Sequence, residues 1–186
     1  MKSARYASTS SIWVATIIAL TCVACIFSKQ TGSASLQANF AIPSNALLVL
    51  SQVPDGSGAD GVMAGSGDLV RSSLGVELLK RGFQVHNSDA SQLQQLLGEA
   101  KSKGVPLVLL ARITIWEDNA TAWSGKRDHA GISLQLFDTE TGALKGSSER
   151  TANGVRQPSD CAPWLAQTAV AAMLGDKVDE DAGPPC

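Results

Sequence analysis

The stretch LVLLARITIW, residues 107–116, decides the fold. It begins as a continuous apolar run and ends as an alternation of apolar and polar residues. A strand covered on both faces gives the first pattern, and a strand with one solvent-exposed face gives the second. The stretch therefore predicts a strand that is central in its sheet at the beginning and half-exposed near Trp116.

The segments after this strand indicate an antiparallel meander. ISLQLFD alternates from Ile132, DTETG supplies a turn, and a weaker, polar strand begins near Ala143. Pro163 suits the first position of a last helix, which ends at Gly175.

The segments before this strand predict two helices that alternate with strands. ALLVLSQV has the composition of a buried strand, and apolar residues at helical spacing predict a helix over 68–81. A short strand covers 83–86. A second helix follows a capping-box-like pair, Asp89 and Gln92, and ends at Gly104.

The predicted order is β-α-β-α-β-β-β-α. It predicts a single α/β domain over residues 46–175, with a mixed sheet that ends in an antiparallel meander. The formal net charge of −2 and the absence of a basic stripe give no reason to expect nucleic acid as a partner.

The N-terminal segment predicts export. Lys2 and Arg5 precede an apolar run over 12–27, which is typical of a signal peptide, here residues 1–24. Cys25 follows Val-Ala as in a bacterial lipobox, where the cysteine receives diacylglycerol, and the next residue is not Asp, which indicates the outer membrane. Two alternatives remain: an uncleaved anchor, or small apolar residues with no lipid.

Residues 25–45 are rich in Ser, Gln, Ala and Asn and predict a tether that reaches about 70 Å at most. Residues 176–186 form an acidic tail. In an oxidising compartment Cys161 and Cys186 would form a disulfide, although two free thiols are the alternative.

No catalytic residue, cofactor or metal ligand is assigned. GSGADG, residues 56–61, matches a dinucleotide fingerprint, but the helix begins too late for one. His86 and His129 are the two candidate bases at neutral pH, and neither lies in a nucleophile motif. The alternative is an envelope hydrolase or metal-dependent enzyme, because a turn near residue 122 would bring Glu117 and Asp118 opposite Asp128 and His129.

The motif WEDNATAWSG, residues 116–125, carries two tryptophans. Strand alternation places Trp116 on the face opposite Ile113 and Ile115, away from the main core. A docking surface for a partner or glycan and a tryptophan mini-core both fit this pattern.

Together with ISLQLFD and DTETG, this motif resembles an uncharacterised family of Gram-negative lipoproteins, over about residues 45–155. More distantly, the order of elements resembles the fold group of the curli-secretion lipoprotein and the TolB amino-terminal domain, whose members are envelope scaffold, export or regulatory lipoproteins, several of them ring oligomers. The resemblance implies a partner-binding motif of Trp116, Glu117, Asp118, Thr121, Trp123, Ser124 and Gly125. Asn119 and Ala122 depart from the family pattern, as does the segment before the last helix.

The sequence thus predicts a non-enzymatic lipoprotein of the cell envelope that faces the periplasm. It would act as an accessory or scaffold protein that binds an envelope protein or glycan, with homo-oligomers possible by resemblance.

Overall fold

The computed structural model describes residues 29–37, 42–43, 45–58, 61–119, 125–154 and 157–179. The elements in chain order are β1 (Lys29–Leu36), β2 (Leu47–Leu50), β3 (Ser57–Gly58), β4 (Gly61–Val62), α1 (Ser66–Lys80), β5 (Gln84–Asn87), α2 (Leu93–Lys103), β6 (Leu107–Glu117), β7 (Asp128–Asp138), β8 (Leu144–Gly154) and α3 (Pro158–Met173). The predicted α/β class is confirmed.

Six strands form one mixed sheet in the order β1-β8-β7-β6-β2-β5. The strand β2 is parallel to both β5 and β6, whereas β6, β7, β8 and β1 pair antiparallel. The sheet therefore has a parallel half, built from β-α-β units, and an antiparallel half that contains the predicted meander.

Helices cover the two faces unequally. Leu48, Leu50 and Leu109 share the main core with α1 and α3, and Val49 and Val108 share a smaller core with α2. Alternate residues of a strand point to opposite faces, so α1 and α3 cover one face and α2 covers the other over the parallel half.

The α2 side of the antiparallel half is polar. Its side chains are half-buried or exposed hydroxyls, amides and charges, including Ser133, Gln135, Ser147, Glu149 and Thr151. Hydroxyl pairs join the outer strands across this face, with Thr31 Oγ1 2.6 Å from Thr151 Oγ1 and Ser35 Oγ 2.8 Å from Ser147 Oγ. We call this surface the open face.

Strand β1 corrects the predicted tether. Residues 29–36 lie inside the predicted 25–45 leash, yet they pair along their whole length with β8. The segment has no apolar alternation because neither of its faces needs to enter the core. Backbone hydrogen bonds to an open strand edge are enough to place it.

Two predicted helix starts are also wrong. The last helix begins at Pro158, in the first turn where a missing N–H has no cost, and Pro163 lies inside the helix. The second helix begins after Gln92, whose side chain makes no capping hydrogen bond. Among the described residues, no helix has the length and apolar character needed to cross a bilayer.

Candidate interaction site at the hairpin end

The motif lies at the end of the sheet where β6 stops and β7 begins. One row of paired residues crosses four strands here: Glu117 pairs with His129, His129 with Asn153, and Asn153 with Lys29. The short β3–β4 hairpin packs against β6 beside this row. We call this region the hairpin end.

A β-bulge decides which motif side chains face the core. The register of β6 against β7 shifts between Ile113 and Ile115, so that Ile113 faces Ile132 and Trp116 faces Ala130. The extra residue reverses the alternation beyond it. Trp116 therefore shares the face of Ile113, which carries the main core.

Trp116 is 4% exposed and belongs to the main core. The prediction that it lies opposite Ile113, as an exposed docking anchor, is wrong, because the alternation was extended through a bulge that the sequence does not reveal. Of the two interpretations of the tryptophans, docking surface or packing, the structure supports packing for Trp116.

The β3–β4 hairpin is built around Trp116. A Cβ on Gly56 would lie 2.6 Å from the Trp116 Cβ, and one on Gly58 would lie 2.7 Å from the Trp116 carbonyl oxygen. Both positions require glycine for this close approach. The glycine-rich stretch thus forms a hairpin that packs on the motif, and Val62 at its end is 71% exposed.

Glu117 of the motif and Asp128, at the start of β7, make ordinary structural contacts. Glu117 Oε2 lies 3.4 Å from His129 Nδ1, as the predicted hairpin requires. Asp128 is buried and accepts a hydrogen bond of 2.7 Å from the Asn119 backbone N–H, and Asn119 Nδ2 donates to the Arg127 carbonyl. Asp118 is half-buried. These bonds hold the two ends of the loop together.

No group of three or more His, Cys, Asp or Glu side chains suited to hold a metal ion occurs among the described residues. Three of the seven predicted partner-binding residues, Thr121, Trp123 and Ser124, lie outside the described residues. Gly125 is exposed with a left-handed backbone, φ 66°. Exposed Lys126 and Arg127 follow it, and no pattern in the sequence singles them out.

The start of α1 resembles an anion site, and the chain supplies the anion itself. Asp55 accepts hydrogen bonds from the Gly67 N–H at 2.8 Å and the Gly65 N–H at 3.2 Å. These backbone bonds, the one from Gly67 foremost, lower the pKa of the Asp55 carboxyl. An external phosphate would have to displace Asp55, so a dinucleotide site here has no support.

His86, one of the two candidate bases, lies in a surface network on β5. Lys103 contacts the His86 ring, and Lys103 Nζ lies 2.7 Å from Glu99 Oε1. The hydrogen bond from Lys103, followed by one from Ser88, lowers the pKa of the Glu99 carboxyl. This network places no nucleophile beside the histidine.

The three cysteines of the predicted mature chain are only partly placed. Cys25 and Cys186 lie outside the described residues. Cys161 is buried in the first turn of α3 and is disulfide-bonded. Its pairing with Cys186 stays a prediction.

No protein-family model matches the sequence, and no curated protein matches it. Among solved structures, a PelC dodecamer from Paraburkholderia phytofirmans has a TM-score of 0.60 and 17% identity, covering 80% of this chain and 100% of that one. A point variant of PelC, also a dodecamer, has a TM-score of 0.62 and 17% identity over 79% and 100%. These likenesses show a shared fold. Lipoprotein GNA1162 from Neisseria meningitidis, at a TM-score of 0.41 and 12% identity over 64% and 92%, is too distant to support a conclusion.

Proposed function

We propose that this chain is a non-enzymatic lipoprotein of the cell envelope, anchored through Cys25 with its hairpin end toward the bilayer. It acts as an accessory or scaffold protein that binds another envelope component, a protein or a glycan. The observation that carries the proposal is the row of residues from Glu117 to Lys29, which brings the anchor segment and the motif to one end of the sheet.

The short distance between anchor and domain supports this orientation. Because β1 begins at Lys29, only three residues lie between it and Cys25, and the four steps along the chain span about 14 Å when fully extended. A lipid on Cys25 thus keeps the hairpin end close to the headgroups, whereas a 20-residue leash would leave the domain free to turn.

The surface of the hairpin end suits a lipid headgroup region. Val62 offers an exposed apolar side chain, and Lys126 and Arg127, just before β7, carry exposed basic side chains. Anionic headgroups attract basic side chains, and shallow apolar side chains add affinity at the interface. With Trp116 in the core, it contributes no exposed anchor to docking, and Glu117 and Asp118 contribute only as rim carboxylates, whose loss weakens docking in part.

The similarity to dodecameric structures supports a scaffold role. Two PelC structures with this fold are dodecamers, and we propose that the present chain also assembles with copies of itself. Sedimentation of the full-length lipidated protein in detergent tests this. A monomer at all concentrations would contradict it.

The orientation is tested by photo-crosslinking in vesicles of phosphatidylethanolamine and phosphatidylglycerol. A photoreactive amino acid replaces Val62 in the lipidated protein, and in a control it replaces Leu144, which is 39% exposed at the opposite end of the sheet. We expect lipid adducts at position 62 and few at 144. Equal labelling, or stronger labelling at 144, would overturn the orientation.

The proposal that the protein is not an enzyme is tested by substituting Glu117. A carboxylate that serves as acid, base or metal ligand cannot become an amide without loss of most of the rate. We expect Glu117→Gln to retain most of its cellular function, because its contact with His129 is half-exposed. Loss of function in a folded Glu117→Gln protein would favour the enzyme.

A further inference from the structure

Helices α1 and α3 carry an apolar patch on the outer side of the layer that they form over the sheet. Among the described residues four large apolar side chains are exposed, and two of them, Val76 and Leu79, lie on α1 at 53% and 60% exposure. They are three residues apart, a spacing that places both on one side of a helix. The opposite side of α1 carries Val70, Leu74 and Leu78 into the main core. Helix α1 is therefore apolar on two sides, and only one of them is used by the fold.

A groove beside this patch separates α1 from α3. Its volume is about 480 Å³, and Val76 lines one wall while Pro163 and Trp164 line the other. Trp164 is half-buried and also lines a second cavity, of about 330 Å³, further along α3. Tryptophan is enriched among the residues that contribute most to binding between proteins. Trp164 is thus placed to contact a partner, whereas Trp116 lies in the core.

The two helices form a flat layer of regular size. Arg81, the residue after α1, donates to the carboxylate of Asp176, just beyond the end of α3, so the two helices end side by side. They have 15 and 16 residues, which correspond to a length of about 23 Å, and together they are about 20 Å wide. We call the outer surface of this layer the helix face.

The helix face has the area of a small protein–protein interface. Its footprint corresponds to roughly 600 Å² of accessible surface, so two such surfaces bury about 1,200 Å² in total, the lower end of the range for stable complexes. Two chains anchored in one bilayer do not need a larger interface, because anchoring raises their effective concentration.

The charges of the helix face are compatible with a second copy as the partner. Of the charged residues that line the groove, Lys80 and Asp160 are exposed and opposite in sign. The third, Glu77, is buried, and its carboxylate accepts a hydrogen bond of 2.9 Å from Arg81. These charges sum to zero. Two copies of the helix face therefore meet without net repulsion.

We propose, on the premise of the self-assembly proposed above, that the helix face binds a second copy of this chain, with α1 of each copy against α3 of the other. A two-fold axis parallel to the helices brings the two grooves together, so that Trp164 of one copy packs on Val76 of the other. The same axis keeps both hairpin ends toward one bilayer. The four helices then form a bundle with the apolar patch at its centre.

Sedimentation of the full-length lipidated protein in detergent tests the surface. Val76→Asp places a charge in the interface and should weaken self-association at least about thirtyfold. Because Val76 is more than half exposed in the single chain, the variant should keep the circular dichroism spectrum of the wild type. Gln94→Asp, exposed on α2, is the control and should assemble as the wild type does.

The outcomes separate this surface from self-assembly itself. If wild type assembles and folded Val76→Asp assembles equally well, the helix face is not the interface, and self-assembly still stands. A wild-type protein that is monomeric at every concentration would contradict both.

Crosslinking between isotopically distinct copies tests the arrangement of the helices. A photoreactive amino acid replaces Leu79 in unlabelled protein, which exchanges subunits with isotope-labelled wild type. Trypsin places Leu79 on peptide 72–80 and α3 on peptide 157–177. We expect unlabelled 72–80 joined to labelled 157–177, and no labelled adduct when the photoreactive residue replaces Gln94. Adducts with unlabelled 157–177 alone, or with labelled peptides from the sheet, would overturn the proposal.

Discussion

The parallel and antiparallel halves of the sheet differ in what covers them. The parallel half lies between helices, and β2 is buried along almost its full length. The antiparallel half has helix α3 on one face only, and β8 alternates between buried and more exposed side chains. Strand β6 belongs to both halves and changes from the first pattern to the second along its length. Coverage by helices, more than strand direction, therefore sets the sequence pattern.

The largest effect is expected on the one face of the antiparallel half that a helix covers, where the stability of this half depends on buried side chains. Trp116→Ala removes a core side chain and should lower the free energy of unfolding by about 3–5 kcal/mol. Urea unfolding measures this. Arg112→Ala, an exposed position on the same strand, is the control and should change it by less than about 0.5 kcal/mol. A small effect of Trp116→Ala would mean that the tryptophan is a surface anchor after all.

The second test weakens the packing of α2, the helix that covers the second face of the parallel half. Leu96 on α2 is fully buried in the smaller core, and Leu96→Ala should cost about 2–5 kcal/mol. Gln94→Ala, exposed on the same helix, is the control. Hydrogen exchange should show faster uptake in α2 and β5, with β8 little affected. Equal loss of protection across the whole sheet would contradict the division into halves.

A third, smaller effect concerns Asp55, whose carboxylate accepts hydrogen bonds from backbone N–H groups at the start of α1. Asp55→Asn should lower the melting temperature at pH 7 by about 2–4 °C. The folded pKa of Asp55 lies below its usual value near 3.8, so its stabilisation is present above that value and disappears as the pH falls through the folded pKa. Thermal melts from pH 7 to pH 2.5 should therefore show wild type and variant converging. A constant difference would mean that charge is not the cause.

The smallest effect is expected on the open face. Thr31→Ala removes the hydroxyl pair between β1 and β8 and should cost about 0.2–1 kcal/mol. Ser33→Ala, on the same face of β1, controls for loss of a hydroxyl as such. A cost well above 2 kcal/mol would show that β1 is an integral part of the core and more than an added edge.

The sequence predicts those parts of the fold that bury regular apolar patterns. The run in LLVL, the alternation in ISLQLFD and the helical spacing before Gly82 follow directly from burial. Strand β1 was missed because its pairing uses backbone groups, which every sequence possesses. One part of the candidate site could be predicted, because a hairpin between β6 and β7 places Glu117 opposite His129. The burial of Trp116 could not be predicted, because it depends on a β-bulge that has no sequence signal.

That bulge has a consequence for how the hairpin can change in evolution. Because it adds one residue to β6 between Ile113 and Ile115, deletion of a single codon near Thr114 would remove the bulge, restore simple alternation and leave Trp116 opposite Ala130 on the core face. Insertion of one residue between the bulge and Trp116 would instead turn Trp116 to the opposite face. The bulge thus lets β6 lose a residue near Thr114 without turning Trp116 out of the core.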